Sequence, residues 1–249
     1  MKLSGNTVFI TGGTSGIGRS LAEALHKRGN QVIISGRRKG HLAEVTKANP
    51  GMQSLELNVE DPASIASVAK KLIAEHPKLN VLINNAGIMR LDDAARAIDE
   101  SVLVSTVTTN LLGPIRMTSA LIEHLKKQPA ATVINVSSGL AFVPLASTAV
   151  YSATKAAIHS YTQSMRYRLK GSSVRVLELI PPWVQTDLLN SKDEPRAMPL
   201  AAFIEEAVTV LGTDAEEVLV ERVKMLRNNP GPNEFVFVAQ FNDMIASAH

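Results

Sequence analysis

The sequence predicts an α/β fold in which helices cover both faces of a mostly parallel sheet, a three-layer, doubly wound arrangement of about seven strands. Short apolar runs alternate with helical patterns, an order that favours parallel strands joined by crossover helices. Polar and glycine-rich motifs follow the ends of these runs, where open parallel sheets bind ligands. The chain has 249 residues and no linker-like stretch, so we expect one domain over residues 1–249.

The composition is that of an ordinary globular protein, with 45% hydrophobic and 20% charged residues and a formal net charge of +3. Aromatic residues make up 4% and basic residues are scattered, so no nucleic-acid partner is expected. The absence of cysteine excludes disulfides and cysteine–zinc sites. Neither a signal-peptide pattern nor a membrane span is seen, which predicts a cytoplasmic protein with no membrane partner. No metal is expected, because no metal-binding spacing relates the histidines His26, His41, His76, His124, His159 and His249.

The first strand–turn–helix unit carries the glycine-rich sequence T-G-G-T-S-G-I-G over residues 11–18, between a strand at 7–10 and a helix at 19–28. In such a turn, backbone N–H groups and the helix dipole face an anion such as a phosphate. The spacing departs from G-x-G-x-x-G, and a tight connection without a ligand would have a similar composition. Its place at the first βα junction favours a dinucleotide site.

The second unit has a strand at residues 31–35, then Gly36-Arg37-Arg38, and a helix that ends at residue 48. A site that prefers NAD usually carries an acidic residue here, whereas arginine accommodates the 2′-phosphate of NADP. Arginines that merely solvate the start of the helix are the alternative. Their position at the end of a strand favours NADP(H) over NAD.

The next two units have strands at residues 52–57 and 79–83, with a helix between them that opens at Asp61 or Ser64. The second strand runs into Asn84-Asn85-Ala86-Gly87. Small residues at this point let the backbone approach a ligand closely, although an ordinary turn can have the same composition.

A long helical pattern over residues 101–127 is interrupted near Asn110 and Gly113-Pro114. A buried asparagine amide is costly unless its hydrogen bonds are satisfied. Asn110 therefore indicates a water or lysine partner, or else a position that faces solvent.

The fifth strand, residues 131–136, ends in Ser137-Ser138, and a helix from Tyr151 to residue 169 follows. Residues four apart on a helix share a face, so Lys155 lies beside the Tyr151 phenol. A neighbouring cation lowers the pKa of a phenol, and we expect such a shift for Tyr151. A serine at the strand end can bond the same reacting oxygen. This group suits proton transfer to or from a carbonyl or alcohol oxygen.

The remaining chain predicts a sixth strand at residues 173–179 and a Pro-containing substrate flap at about 186–212. One helix is expected over 199–211 and a second, opened by the capping box at Thr213, up to residue 227. A last strand is predicted at 235–238.

These motifs resemble the short-chain dehydrogenase/reductase family over essentially the whole chain, in the family's order and spacing. The resemblance is carried by Thr11-Gly12…Gly16-x-Gly18, Asn84-Asn85-Ala86-Gly87, Asn110, Ser138 and Tyr151-x-x-x-Lys155. Within the family, the Met1-Lys2-Leu3 start, Gly36-Arg37-Arg38 and Pro181-Pro182 resemble the DltE-type oxidoreductases. The resemblance implies a Rossmann fold.

The resemblance also implies residue roles. Tyr151 would exchange the proton, Ser138 would orient the carbonyl, Lys155 would bind the nicotinamide ribose, and Asn110 would hold a water that relays protons to Lys155. The residues expected to bind the cofactor are Gly12, Thr14, Ser15, Gly16, Ile17, Gly18, Arg37, Arg38, Asn58, Val59, Asn85, Ala86, Gly87, Tyr151, Lys155, Pro181, Val184 and Thr186.

Three departures from the family pattern stand out. Asn58 replaces a frequent aspartate, and its amide still offers a hydrogen bond to adenine. Pro181-Pro182 stands where Pro-Gly is commoner, and a second proline restricts the entry to the flap. The C-terminus lacks the usual glycine-rich ending, so a homodimer is expected more readily than a homotetramer.

The leading functional prediction is an NADPH-dependent reductase of aldehydes or ketones that also runs in reverse as an alcohol dehydrogenase. Leu140, Val143, Trp183 and Leu188 are expected to form an apolar substrate pocket. The alternatives are a dinucleotide-binding sensor or scaffold without catalysis, and an epimerase or dehydratase on the same fold.

Overall fold

A computed structural model describes residues 1–247 of the chain. In this part of the chain, a parallel sheet has the strand order β3-β2-β1-β4-β5-β6-β7. The direction of winding reverses between β1 and β4, which opens a crevice at the carboxyl ends of the central strands. The strands are β1 (Thr7–Ile10), β2 (Gln31–Gly36), β3 (Gln53–Glu56), β4 (Leu79–Asn84), β5 (Ala131–Val136), β6 (Val174–Ile180) and β7 (Glu217–Leu219).

Helices cover both faces of the sheet because alternate strand residues point to opposite sides. Val8 and Ile10 of β1 pack in one core with α1 and α7, whereas Phe9 packs in a second core with α3 and α5. The three-layer, doubly wound fold is thereby confirmed. The helices are α1 (Gly16–His26), α2 (Lys39–Ala48), α3 (Pro62–Glu75), α4 (Glu100–Val107), α5 (Gly113–Leu125), α6 (Ala149–Arg168), α7 (Leu200–Leu211), α8 (Lys224–Arg227) and α9 (Glu234–Ala246).

The first six strands lie within one residue of their predicted limits. The predicted interruption of the long helical stretch is also confirmed, since a π-helical turn, Thr108–Leu112, separates α4 from α5. Such turns insert an extra residue into a helix and are frequent at functional sites. This one contains Asn110.

The predictions beyond residue 212 were wrong in two places. The stretch expected to be one helix contains β7, a 3₁₀ turn at Glu221–Val223 and the short α8. Val218 of β7 is fully buried beside β6, and a three-residue strand is too short to show a period in the sequence. The strand expected at 235–238 lies inside α9, because a short apolar run does not distinguish a helix from a strand by periodicity.

No helix within residues 1–247 combines the length and apolar content needed to cross a membrane. His249 lies outside the described residues, and the expectation that it binds no metal stays a prediction.

Candidate active site

The glycine-rich turn between β1 and α1 lies at the central crevice, where Gly13 N donates to the Ser35 carbonyl at 2.9 Å. Gly12 and Gly16 have φ angles of +69° and +53°, a region that favours glycine. No side chain caps the start of α1 at Ser15. The N–H groups of the first helical turn are therefore free to bind an anion, which the helix dipole also favours.

Thr11 holds this turn against the segment that follows β4. Its hydroxyl accepts hydrogen bonds from the backbone N–H groups of Asn85 and Ala86, both at 3.0 Å. The Asn85 amide donates to the carbonyl oxygens of Thr11 and Gly12 at 2.9 and 3.1 Å. A β-carbon at Gly12 would lie 2.9 Å from the Ala86 Cα, so only glycine fits this approach. The sequence prediction omitted Thr11 from the site, although a hydroxyl directly before the first glycine was the available signal.

The turn also contacts β2 and the segment that follows β6. A β-carbon at Gly36 would lie 3.0 Å from the Thr14 methyl group. One at Gly16 would lie 3.4 Å from the Thr186 side chain, which is buried. The half-buried Ile17 packs against the core below the turn. These contacts bring together Thr14, Ser15, Gly16 and Thr186. Separately, a β-carbon at Gly18 would overlap the Asn85 amide.

The two arginines after β2 lie at the outer end of the crevice, in contact with solvent. The side chain of Arg37 is 63% exposed, and its guanidinium lies 3.4 Å from Glu60 Oε1. Asn58 lies across from it, with its Oδ1 accepting from Glu60 N at 3.2 Å. Val59 is buried against Gly113. A cleft of about 410 Å³ is lined by Arg37, Glu56, Asn58, Asp61 and Ser64.

Ser138, Tyr151 and Lys155 meet at the carboxyl end of β5. All three are buried, with 8%, 7% and 5% of their surface exposed. Lys155 Nζ lies 5.4 Å from the Tyr151 ring centroid and donates to the Val136 carbonyl at 2.8 Å. Ser138 Oγ accepts from Leu140 N at 3.1 Å, which leaves its own proton for the Tyr151 oxygen.

Burial dominates the acid–base properties of this group. It raises the pKa of Tyr151 to about 12, and the hydrogen bond from Ser138 acts in the opposite direction. The predicted lowering of the Tyr151 pKa by Lys155 was therefore wrong, because burial disfavours the charged phenolate. Burial also lowers the pKa of Lys155 to about 8, against the raising effect of Glu178. Near neutral pH the phenol is therefore uncharged.

Asn110 holds the backbone next to this group. Its Oδ1 accepts from Ile88 N at 2.9 Å, and its Nδ2 donates to Ile88 O at 2.8 Å and to Thr154 Oγ1 at 3.2 Å. Asn110 is 1% exposed, so the solvent-facing alternative was wrong, and its protein partners are a backbone segment and a hydroxyl. A water relay through Asn110 stays a prediction.

The residues predicted to surround the substrate differ in their exposure. Trp183 and Leu188 are 38% and 39% exposed, Leu140 is half-buried, and Val143 is fully buried. Trp183 Nε1 donates to Ser191 Oγ at 2.8 Å, and the Arg196 guanidinium lies 5.1 Å from its ring centroid.

Two residues of the segment after β6 connect it to neighbouring loops. The Pro181 carbonyl accepts from Gly139 N at 2.9 Å, which joins the end of β6 to the Ser138 loop. Val184 forms an isolated bridge with Met198.

Asp92 fixes the start of the helix that carries Tyr151 and Lys155. Its two carboxylate oxygens accept from Ala149 N at 2.8 Å and Val150 N at 3.0 Å. The sequence prediction missed this cap, because Asp92 and the helix that it caps are far apart in the chain.

The site can accept a dinucleotide. A β-carbon at Gly87 would lie 3.4 Å from Asn110 Oδ1 and 3.8 Å from Lys155 Nζ, so glycine keeps the space between these groups clear. That space lies on the same sheet edge as the open N–H groups of α1. An open turn at a helix N-terminus and a buried phenol–lysine pair on one edge are typical of an oxidoreductase that uses a nicotinamide cofactor.

Comparison with known proteins identifies the family. The model of the short chain dehydrogenase family matches residues 6–197, and the chain belongs to this family. It is 38% identical over 234 residues to the "uncharacterized oxidoreductase DltE" of Bacillus subtilis (strain 168), covering 92% of this chain and 93% of that protein.

Two solved structures are similar throughout. A short chain dehydrogenase from Burkholderia cenocepacia J2315 in complex with NADP has a TM-score of 0.85 and 27% identity, covering 96% of this chain and 98% of that one. A 3-ketoacyl-(acyl-carrier-protein) reductase from Brucella melitensis complexed with NADH has a TM-score of 0.78 and 26% identity, covering 86% and 93%.

Proposed function

We propose that this oxidoreductase reduces an aldehyde or ketone to an alcohol with NADPH, and that it catalyses the reverse reaction with NADP. The observation that carries the proposal is the buried Tyr151 phenol, hydrogen-bonded to Ser138 and 5.4 Å from the Lys155 ammonium across its ring. A neutral phenol in a dry site can donate a proton to an oxygen that becomes negatively charged.

The residues of the site divide the work of this reaction among them. The nicotinamide, when bound, supplies the hydride that reaches the carbonyl carbon. Ser138 donates a hydrogen bond to the carbonyl oxygen, and Tyr151 transfers its proton to that oxygen. Lys155 holds the cofactor ribose and stabilises the phenolate that remains. Asn110 fixes the Ile88 backbone and keeps the Lys155 side of the cavity open.

The cofactor preference is proposed from charge. Arg37 and Arg38 follow β2, and no acidic residue occurs between residues 31 and 42. A 2′-phosphate carries negative charge that these arginines neutralise, whereas a free ribose 2′-hydroxyl has no acidic partner there.

The substrate is proposed to have an apolar portion. The partly exposed Leu140, Trp183 and Leu188 are proposed to contact that portion, whereas Val143 is fully buried and offers no accessible surface. Residues 186–212 are proposed to close over the substrate as a flap, with Thr186 and Val184 beside the cofactor. A reductase of 3-ketoacyl groups is among the similar structures, which supports a carbonyl on an apolar chain.

The replacement Tyr151→Phe tests the proposal. It removes the proton donor and retains the ring, so kcat is expected to fall by about 10²–10⁴-fold while the Kd of NADPH changes little. Turnover is followed by loss of NADPH absorbance with a panel of aldehydes and ketones, and binding by NADPH fluorescence. Tyr161→Phe, on the same helix, is the matched control and is expected to retain full activity.

Three results would contradict the proposal. A Tyr151→Phe variant that keeps most of its activity would exclude the phenol as proton donor. A wild-type protein that binds NADPH and turns over no carbonyl compound would favour a sensor. Conversion of substrate without net cofactor consumption would favour an epimerase or a dehydratase.

A further inference from the structure

A buried carboxylate lies behind the active site, outside the residues described so far. Glu178 of β6 has no exposed surface. Its Oε2 lies 2.8 Å from His159 Nδ1, whereas its Oε1 has no hydrogen-bond partner among the described residues. A buried charge is costly unless opposite charges surround it, so the environment of Glu178 must compensate it.

The charged groups that interact with Glu178 are Lys155 and Arg227, and Arg227 is itself paired with Glu217. Arg227 binds both oxygens of Glu217, at 2.8 and 3.0 Å, and its guanidinium lies 4.7 Å from the Phe142 ring centroid. This contact satisfies Glu217. Arg227 also attracts Glu178, and Lys155 is a further cation whose attraction to Glu178 opposes the effect of burial on Lys155.

The same residues argue against a metal centre. His159, Glu178 and Glu217 offer ligand atoms within 4.8 Å of one another. Arg227 already occupies both Glu217 oxygens and brings a positive charge to the group. A divalent cation would have to displace that guanidinium. The contacts therefore fit ion pairs among these side chains better than they fit a metal centre.

The fold places Glu178 next to Lys155. Lys155 and His159 are one turn apart on α6 and share a face, and His159 contacts Glu178 directly. On the strand side, Glu178 pairs in register with Asn135, one residue before the Val136 carbonyl that binds Lys155 Nζ. We propose that Glu178 is a positioning residue, the buried counter-charge that keeps the Lys155 ammonium protonated beside Tyr151.

Lys155 needs this partner because burial works against its charge. Its pKa is lowered to about 8, and Glu178 is the group that opposes this lowering. Without the Glu178 charge, Lys155 would lose its proton nearer to neutral pH. The titratable groups near Lys155 are Tyr151 and His159 on its own helix α6 and Glu178 on β6. Glu217, which pairs with Arg227, lies within 4.8 Å of the ligand atoms of His159 and Glu178. Its neighbours on β5, Val136 to Ser138, carry no charge.

The test measures the ionisation of Lys155 directly, by the ¹³Cε chemical shift of labelled lysine in the full chain. The Lys155 resonance is assigned by its absence from a Lys155→Met variant. Glu178→Gln keeps the size of the side chain and removes the charge, so the Lys155 pKa is expected to fall by about one unit, a tenfold change in proton affinity. Glu216→Gln, at an exposed acid two residues before Val218, is the matched control and is expected to leave Lys155 unchanged.

Glu178→Asp retains the charge and is expected to restore most of the Lys155 pKa. An unchanged Lys155 titration in Glu178→Gln would overturn the proposal. If Glu178→Gln does not fold, the ¹³Cδ shift of Glu178 in the wild-type protein decides instead. A carboxylate that is ionised at pH 7 supports the counter-charge, and a protonated one overturns it.

The role of the charged Lys155 in catalysis rests on the proposed function, but its titration is read without substrate or cofactor. The failure of the Glu178 proposal can therefore be distinguished from the failure of the proposed function. If the protein is a reductase, the alkaline limb of its kcat/KM profile moves to lower pH in Glu178→Gln, because Lys155 deprotonates earlier. A purely structural role of Glu178 would lower Tm and leave this limb in place.

Discussion

The two ends of the crevice are built in opposite ways. At the reacting end, Tyr151 and Lys155 are 7% and 5% exposed and make defined contacts with Ser138 and the β5 backbone. At the outer end, the Arg37 side chain is 63% exposed and lies 3.4 Å from Glu60. Burial changes the acid–base chemistry of a group, whereas an exposed charge keeps its ordinary chemistry and is screened by salt.

The difference follows from what each end has to do. Proton transfer needs a group whose pKa and geometry are fixed before the substrate arrives, and a dry site provides both. Selection of a phosphate needs only positive charge that can move to meet it, and exposed arginines provide this at little cost in stability. The reacting end should therefore dominate folding stability and catalysis, and the outer end should affect cofactor affinity alone.

The largest expected effect is a pH dependence of stability at the reacting end. Below about pH 8, Lys155 is protonated in both the folded and the unfolded chain. Between about pH 8 and its ordinary pKa of 10.5, the unfolded chain keeps a proton that the folded chain has released, so stability rises with pH, by about 3 kcal/mol at most. Above 10 the sign reverses for Tyr151, because its phenol ionises in the unfolded chain while the folded chain holds the proton up to about pH 12.

Urea unfolding from pH 7 to 11 checks this prediction. In Lys155→Met the rise of the unfolding free energy above pH 8 should be absent. The difference between the wild-type and Lys155→Met curves then isolates the contribution of this one group. Parallel curves for the wild type and Lys155→Met would show that the lysine is not desolvated, and the contrast between the two ends would lose its physical basis.

Much of the site could be predicted from the sequence because its signals are local. Tyr151 and Lys155 are one helical turn apart, and the glycines of residues 11–18 lie within one βα connection. The strand ends follow from short apolar runs, and the parallel sheet then brings these ends to one edge. Local patterns and a simple topology were sufficient for this part.

Contacts between residues far apart in the chain could not be predicted from local sequence patterns. The Asp92 cap on α6 and the Glu178 contact with His159 depend on tertiary placement. The direction of the Tyr151 pKa shift was missed for the same reason, since it depends on the surrounding burial more than on the adjacent lysine. Strand β7 was also missed, because Val218 is the one buried residue of its three and its partner strand, β6, is distant in the sequence.

An intermediate effect is expected at the outer end. Arg37→Asp replaces an attraction for the 2′-phosphate by a repulsion, so the Kd of NADPH should rise by about tenfold while that of NADH changes little. The effect should shrink with added salt. Lys39→Asp, another exposed cation of the same segment, is the matched control. Equal changes for both cofactors would show that Arg37 does not read the phosphate, and Arg38 would be the next candidate.

The smallest expected effect concerns the Asp92 cap on α6, the helix that carries Tyr151 and Lys155. Asp92→Ala removes both acceptors from the N-terminus of α6, and loss of such a cap costs about 1 kcal/mol of stability. Because α6 carries Tyr151 and Lys155, kcat should also fall by a few-fold, while the ratio of the Kd values for NADPH and NADH should stay the same. Asp93→Ala, at an exposed neighbour that bonds only within its own turn, is the control for unfolding and kinetics. A shift in cofactor preference in Asp92→Ala would mean that the two ends are coupled through α6 and do not act independently.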